Sequence, residues 1–142
     1  MVKISSMKKA TECMVCGCEL KNPRALYCAR CRKIVNRIDT RRKHNRQARI
    51  RALQQSWDGK SFRCFYTGVK LIEDNPKDPR YLTFDHRIPR QEDDIVIVAA
   101  SINDMKSDMS DGEFYRMVLQ LANKLSGGTF DESVFELRYW KR

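Results

Sequence analysis

Asp85 and His86 are adjacent, Asn103 follows His86 by seventeen positions, and Lys106 lies one helical turn beyond it. An imidazole, whose ordinary pKa is about 6.5, can take a proton from water near neutral pH. A carboxylate and an amide oxygen are hard donors that suit Mg2+ or Mn2+. Such a cation needs few protein ligands, because it keeps water and takes substrate phosphate oxygens. Lys106, Arg87 and Arg90 add positive charge that could meet a phosphate. These residue types suit hydrolysis of a phosphodiester, which needs an activated water, charge neutralisation and a stabilised leaving oxygen. Neighbouring side chains on a regular strand face opposite sides, so one site served by both Asp85 and His86 requires a bulge or twist.

A second constellation lies near the start of the chain. Residues 13–31 read CMVCGCELKNPRALYCARC, with Cys13 and Cys16 as one CxxC pair and Cys28 and Cys31 as another. Two such pairs can wrap tetrahedral Zn2+ as four thiolates. So small a segment has little core of its own and would draw its folding energy from the metal. Cys18 is a fifth nearby cysteine that could stand in for Cys16.

These residues need elements to hold them. The stretch YLTFDHRI, residues 81–88, and the apolar run at 94–100 read as two strands of a hairpin. Asn103 to Leu125 reads as one helix with an irregular first turn, its apolar positions recurring at three and four residues. Gly127-Gly128 ends it, and Thr129 with Glu132 has capping-box spacing for a last short helix. Residues 62–72 favour β structure around a Thr67-Gly68 turn. From Ala29 to about Trp57 the pattern is helical, without Pro or Gly between Cys31 and Asp58.

That last stretch carries the charge. The chain has a formal net charge of +10, and residues 32–51 hold nine Lys or Arg against Asp39 alone. So basic a helix with so thin an apolar stripe fits neutralisation of phosphates better than packing. Arg37, Arg41, Arg42, Lys43, Arg46 and Arg49, with Arg87 beside the Asp-His pair, are the expected nucleic-acid contacts. His44, inside this run, reads as a phosphate contact or a solvent-facing residue. The bulky apolar face that a membrane-surface helix requires is missing, and no apolar run is long enough to span a bilayer. The N-terminus shows no apolar signal region. The expected setting is intracellular and reducing, where six cysteines favour metal or buried thiols over disulfides.

The central stretch resembles the HNH (His-Me finger, ββα-metal) nuclease family. That family commonly shows an apolar-D-H-I-x-P strand, a loop, an apolar strand, then N-x-x-K-x-D-M-(S/T)-x-x-E-F. This chain reads F-D-H-R-I-P, then D-I-V-I-V, then N-D-M-K-S-D-M-S-D-G-E-F, over residues 82–114. The resemblance implies two antiparallel strands and a helix around one divalent cation. It makes His86 the general base, Asp85 and Asn103 the metal ligands and Lys106 a support for the phosphate. The family's middle Asn aligns with Asp94, which is left to orient the loop. Many members carry a four-cysteine zinc site inside the nuclease fold; here the matching positions are Cys64, Thr67, Ala99 and Ile102. Zinc is therefore not expected there, and Cys64 reads as a buried thiol.

The expected protein is α+β: a ββα-metal nuclease core with an N-terminal four-cysteine zinc module and a basic helix. The expected division is 1–33 for the zinc module, 34–57 for the basic arm and 58–142 for the nuclease domain. The expected function is a metal-dependent endonuclease acting on DNA, with RNA a weaker candidate substrate, using Mg2+ or Mn2+ at the active site and one structural Zn2+. A monomer would nick and a homodimer could cut both strands. The alternative is a non-catalytic, zinc-containing nucleic-acid-binding protein with a degenerate nuclease fold.

Overall fold

A strand that reads Ile-Val-Ile-Val-Ala is apolar at every position, so it must be covered on both faces. In the computed structural model, which describes residues 11–37, 44–91 and 93–141, that strand is buried throughout. It is β2, Ile95–Ala99, paired antiparallel with β1, Leu82–His86. Leu82 faces Ala99, Asp85 faces Val96 and His86 faces Ile95. Four α-helices accompany this two-stranded sheet among the described residues: α1 Ala29–Val35, α2 Arg46–Ser56, α3 Ala100–Lys106 and α4 Asp111–Leu125. Helix α2 packs on β2, and α3 folds back onto both strands. The fold is therefore α+β. No helix among the described residues is long and apolar enough to cross a membrane.

The single helix expected over 29–57 does not form: among the described residues that span gives α1 and α2. Asn36 closes α1, its N–H reaching the carbonyls of Arg32 and Ile34. The Arg49 guanidinium then donates to the Val35 carbonyl, which fills an acceptor that a continuing helix would have used. Asn45 opens α2 by accepting from the Ala48 N–H at 2.7 Å, while its amide donates to Asp93 in the β1–β2 loop at 2.9 Å. Residues 38–43 lie outside the described residues.

The expected helix from Asn103 to Leu125 is also two. Ser107 sits at φ 52°, which breaks α3, and Ser110 starts α4 with a full capping box to Glu113. Beyond α4 the chain makes two 3-10 turns, Glu132–Glu136 and Arg138–Lys141, rather than an α-helix. The cap of the first is Asp131, accepting from Ser133 N–H at 2.9 Å, not Thr129. The Thr67-Gly68 turn forms with Gly68 at φ 75°, but around it the described residues give an isolated bridge, Arg63 with Lys70, and no strand.

Cys13, Cys31, Ile34 and Val35 share one apolar core with Leu53, Phe62, Leu82, Phe84 and Ile97. The expected boundaries at 33/34 and 57/58 thus run through a common core. Each buried Val, Leu, Ile or Phe contributes about 1.5–3 kcal/mol, so the cysteine segment and the sheet support each other.

Glu113 locks the C-terminus to α4. Its carboxylate accepts from the Ser110 N–H at 2.9 Å, the Tyr139 N–H at 2.8 Å and Arg138 at 2.7 Å. Burial pushes this carboxyl up, but those bonds outweigh burial and hold it at about 2. A depressed folded-state value means stability that is present above the ordinary unfolded value of about 4.3 and lost as pH falls toward about 2. Glu113→Gln is expected to cost about 1–3 kcal/mol at pH 7, and urea melts should show its gap from wild type closing as the solution is acidified through that window. A gap independent of pH would mean the charge plays no part.

Candidate functional site

Gly17, at φ 77°, makes the tight turn of the first cysteine pair, with Cys13 N–H bonded to the Cys18 carbonyl at 2.8 Å. The second pair is held by the start of α1, where the Cys28 sulfur accepts from Cys31 N–H at 3.5 Å. As a result the ligand atoms of Cys13, Cys16, Cys28 and Cys31 all lie within 4.8 Å of one another and could hold a metal ion such as zinc. Burial pushes the Cys13 thiol up, but hydrogen bonds from the backbone of Cys16, Cys28 and Val15 outweigh it and bring it down to about 6. Burial and the neighbouring Cys28 push Cys31 the other way. Thiolates crowded like this repel, and a divalent cation removes the conflict. Exposed Cys18 stands outside the four, its thiol pushed up to about 12 chiefly by a hydrogen bond with Cys16. Cys64 is elsewhere, buried in the core with its sulfur accepting from the Ala99 N–H at 3.4 Å.

The pairing of β1 stays regular through His86, so no bulge turns Asp85 and His86 to the same side. Asp85 belongs with α3. Lys106 Nζ lies 3.0 Å from Asp85 Oδ2 and donates to the His86 carbonyl at 2.8 Å. That directed bond is to the carbonyl, and Asp85 Oδ2 is buried without an aligned hydrogen bond. Burial raises the Asp85 carboxyl, and Lys106 opposes the rise without cancelling it. Asn103 donates through Nδ2 to Thr83 Oγ1 at 3.0 Å, which leaves Oδ1 as the amide's acceptor. A buried carboxylate oxygen held by Lys106 through charge rather than an aligned hydrogen bond, with an amide oxygen on the adjoining helix, is a donor set of the kind a hard divalent cation takes.

Lys106 itself is 1% exposed. Its ammonium is engaged with Asp85 and the strand rather than offered to a phosphate. Lys106→Met would strand a buried carboxylate and is expected to destabilise the fold by about 3–5 kcal/mol. In an Asp85→Asn background the same change should cost far less, and denaturant titrations of the four proteins would measure that coupling. Additive losses would disprove the pairing.

His86 faces the other side, with Phe84. Its ring centroid is 4.7 Å from that of His44, at 52°, and His44 lies 6.0 Å from Phe84. His44 is 6% exposed, so it is neither solvent-facing nor placed on the surface for phosphate. The expected position at the surface is thus corrected to one inside the core. The signal was the Asn45 cap, which ties this turn to the β1–β2 loop. The His86 Nε2 atom is buried and makes no hydrogen bond among the described residues. Asp94 does not reach His86 through a hydrogen bond among the described residues; its carboxylate lies 3.6 Å from Arg87, and its carbonyl accepts from Arg87 N–H at 3.0 Å.

The basic residues are more occupied than their number implied. Arg49 is buried under Val35. Arg37 donates to the Leu82 carbonyl at 2.9 Å and covers the Tyr81 ring. Arg46 donates to Tyr27 Oη at 2.8 Å, and Arg87 to Asp111 at 2.9 Å. Arg46 remains exposed and Arg87 partly so, which leaves them able to meet an anion. Arg41, Arg42 and Lys43 lie outside the described residues. No protein-family model, curated protein or solved structure matches this chain.

Proposed function

We propose that this chain is a zinc-stapled, divalent-cation-dependent endonuclease acting on DNA, with a ββα-metal centre at the end of β1. The observation that carries it is a pair of consecutive residues. Asp85 Oδ2 and His86 Nε2 are both buried and both lack a hydrogen bond among the described residues. Asp85 Oδ2 has the Lys106 ammonium 3.0 Å away but out of hydrogen-bond alignment, and a buried polar atom without an aligned partner costs stability and is open to a ligand. In this reading Asp85 and Asn103 hold a Mg2+ or Mn2+ ion, which would polarise the scissile phosphate. His86 takes the proton of the attacking water. Lys106 keeps Asp85 ionised in its buried position, and Arg87 and Arg46 meet backbone phosphates. Zinc at Cys13, Cys16, Cys28 and Cys31 braces the shared core.

The second reading, a zinc-containing nucleic-acid-binding protein without catalysis, draws on the regular strand that sends Asp85 and His86 to opposite faces. Lys106 also already neutralises Asp85. Relaxation of supercoiled plasmid with Mg2+ or Mn2+ separates the two readings. Nicking by wild type that is lost in His86→Ala and Asp85→Ala supports the enzyme. Absence of nicking, with DNA still retained in a gel shift, supports the binding protein.

A further inference from the structure

A general base must be aimed, and a histidine does not aim itself. The torsion that turns the imidazole plane is broad and roughly two-fold, so something beyond the strand has to set it. The usual device is a third group bonded to the base. Here His86 Nε2 makes no hydrogen bond among the described residues, and Asp94, expected to orient the loop, forms none to the ring. What meets the His86 ring is a second imidazole. The His44 ring centroid is 4.7 Å away with its plane at 52°. The same His44 ring lies 6.0 Å from that of Phe84, two positions back on the same face of β1.

His44 is itself held in place. It is 6% exposed. The next residue, Asn45, caps α2 by accepting from Ala48 N–H at 2.7 Å and donates to Asp93 at 2.9 Å. Asp93 belongs to the β1–β2 loop, into which His86 leads. One turn is therefore pinned to that loop while laying a ring against His86. We infer that His44 is a positioning residue for His86, its ring plane holding the imidazole in the orientation from which it takes the proton of water. This rests on the proposed function. His44 acts by packing, so another flat ring at position 44 serves as well, and an aliphatic chain does not.

Two substitutions separate a ring from mere filling: His44→Phe and His44→Leu. Both put an apolar group into a buried space, so their melting temperatures should lie close together. Plasmid nicking, measured below both transitions, should fall on the order of 10²-fold in kcat in His44→Leu, as for a misplaced reacting group, with KM little changed. His44→Phe should stay near wild type. In a His86→Ala background, His44→Leu should cost nothing further, whereas a general loosening of the fold would lower the residual rate too. The chain has two histidines, so either variant leaves His86 alone in the imidazole region of a proton–carbon NMR spectrum. Its ring should give one narrow, displaced set of signals in His44→Phe and an averaged set near that of free histidine in His44→Leu. Nicking at the wild-type rate in His44→Leu would overturn the inference. So would a loss on the order of 10²-fold in His44→Phe, or a further loss on top of His86→Ala. Should wild type nick no DNA, the proposed function falls, and His44 is then judged on the spectra alone: a ring freed in His44→Leu sustains it, and identical signals in the two variants remove it.

Discussion

Stripping the metal from the four-cysteine cluster is expected to melt far more than the cysteine segment. Cys31 is 0% exposed, and Cys13 and Cys31 sit in the same core as Leu82, Phe84 and Ile97. A structural zinc contributes about 10–16 kcal/mol to the fold that holds it, whereas a whole domain is stable by only about 5–15 kcal/mol. Removing the ion, or replacing Cys31 by Ser, therefore takes away as much free energy as the protein has. The cooperative thermal transition should disappear, and the sheet should lose protection along with residues 11–37. Without a metal the buried thiols also titrate against each other, Cys13 toward the thiolate and Cys31 toward the thiol. Zinc analysis and calorimetric melts would check this. One zinc per chain should be present in wild type and in Cys64→Ser, and absent in Cys13→Ser and Cys31→Ser. Cys64→Ser should lose only the stability of one buried sulfur that accepts from Ala99. A metal-free protein that still melts cooperatively would show that the cysteine segment does not brace the sheet.

The same cysteines show what is legible in the sequence. Ligand spacing is a local property, and the two CxxC pairs do come together. The hairpin was legible too, because β1 alternates apolar and polar positions and β2 is one short apolar run; the strands run 82–86 and 95–99 where 81–88 and 94–100 were expected. Helix ends fared worse, for a physical reason. The break between α1 and α2 involves side chains meeting distant groups, Arg49 the Val35 carbonyl and Asn45 the Asp93 carboxylate, and the break between α3 and α4 turns on the left-handed backbone of Ser107. Charged residues were the hardest to place. A count of positive charge cannot tell an arginine for phosphate from one that closes a helix or covers Tyr81. Lys106 and His44 are the clearest cases, a cation and an imidazole that the fold draws inside. The cost of burying them is met by Asp85 and by the rings of Phe84 and His86.

Replacing His86 by Ala is expected to remove nicking while leaving the protein folded, and this contrast decides between enzyme and binding protein. The imidazole makes no hydrogen bond through Nε2 among the described residues, so deleting it gives up ring contacts with His44 and no described polar partner there. The melting temperature should fall by no more than a few degrees, since a loss of about 1 kcal/mol shifts a domain of this size by about 2–8 °C. Loss of a general base costs about 10²–10⁴ in rate, an effect on a different scale. Binding of DNA should survive, because the proposed phosphate contacts, Arg46 and Arg87, are untouched. Arg46→Ala should do the reverse, weakening binding at moderate salt and leaving the rate at saturating DNA intact. If His86→Ala nicked as fast as wild type, the water would be activated elsewhere. The strand alternation that puts Asp85 and His86 on opposite faces would then hold in the working protein as well.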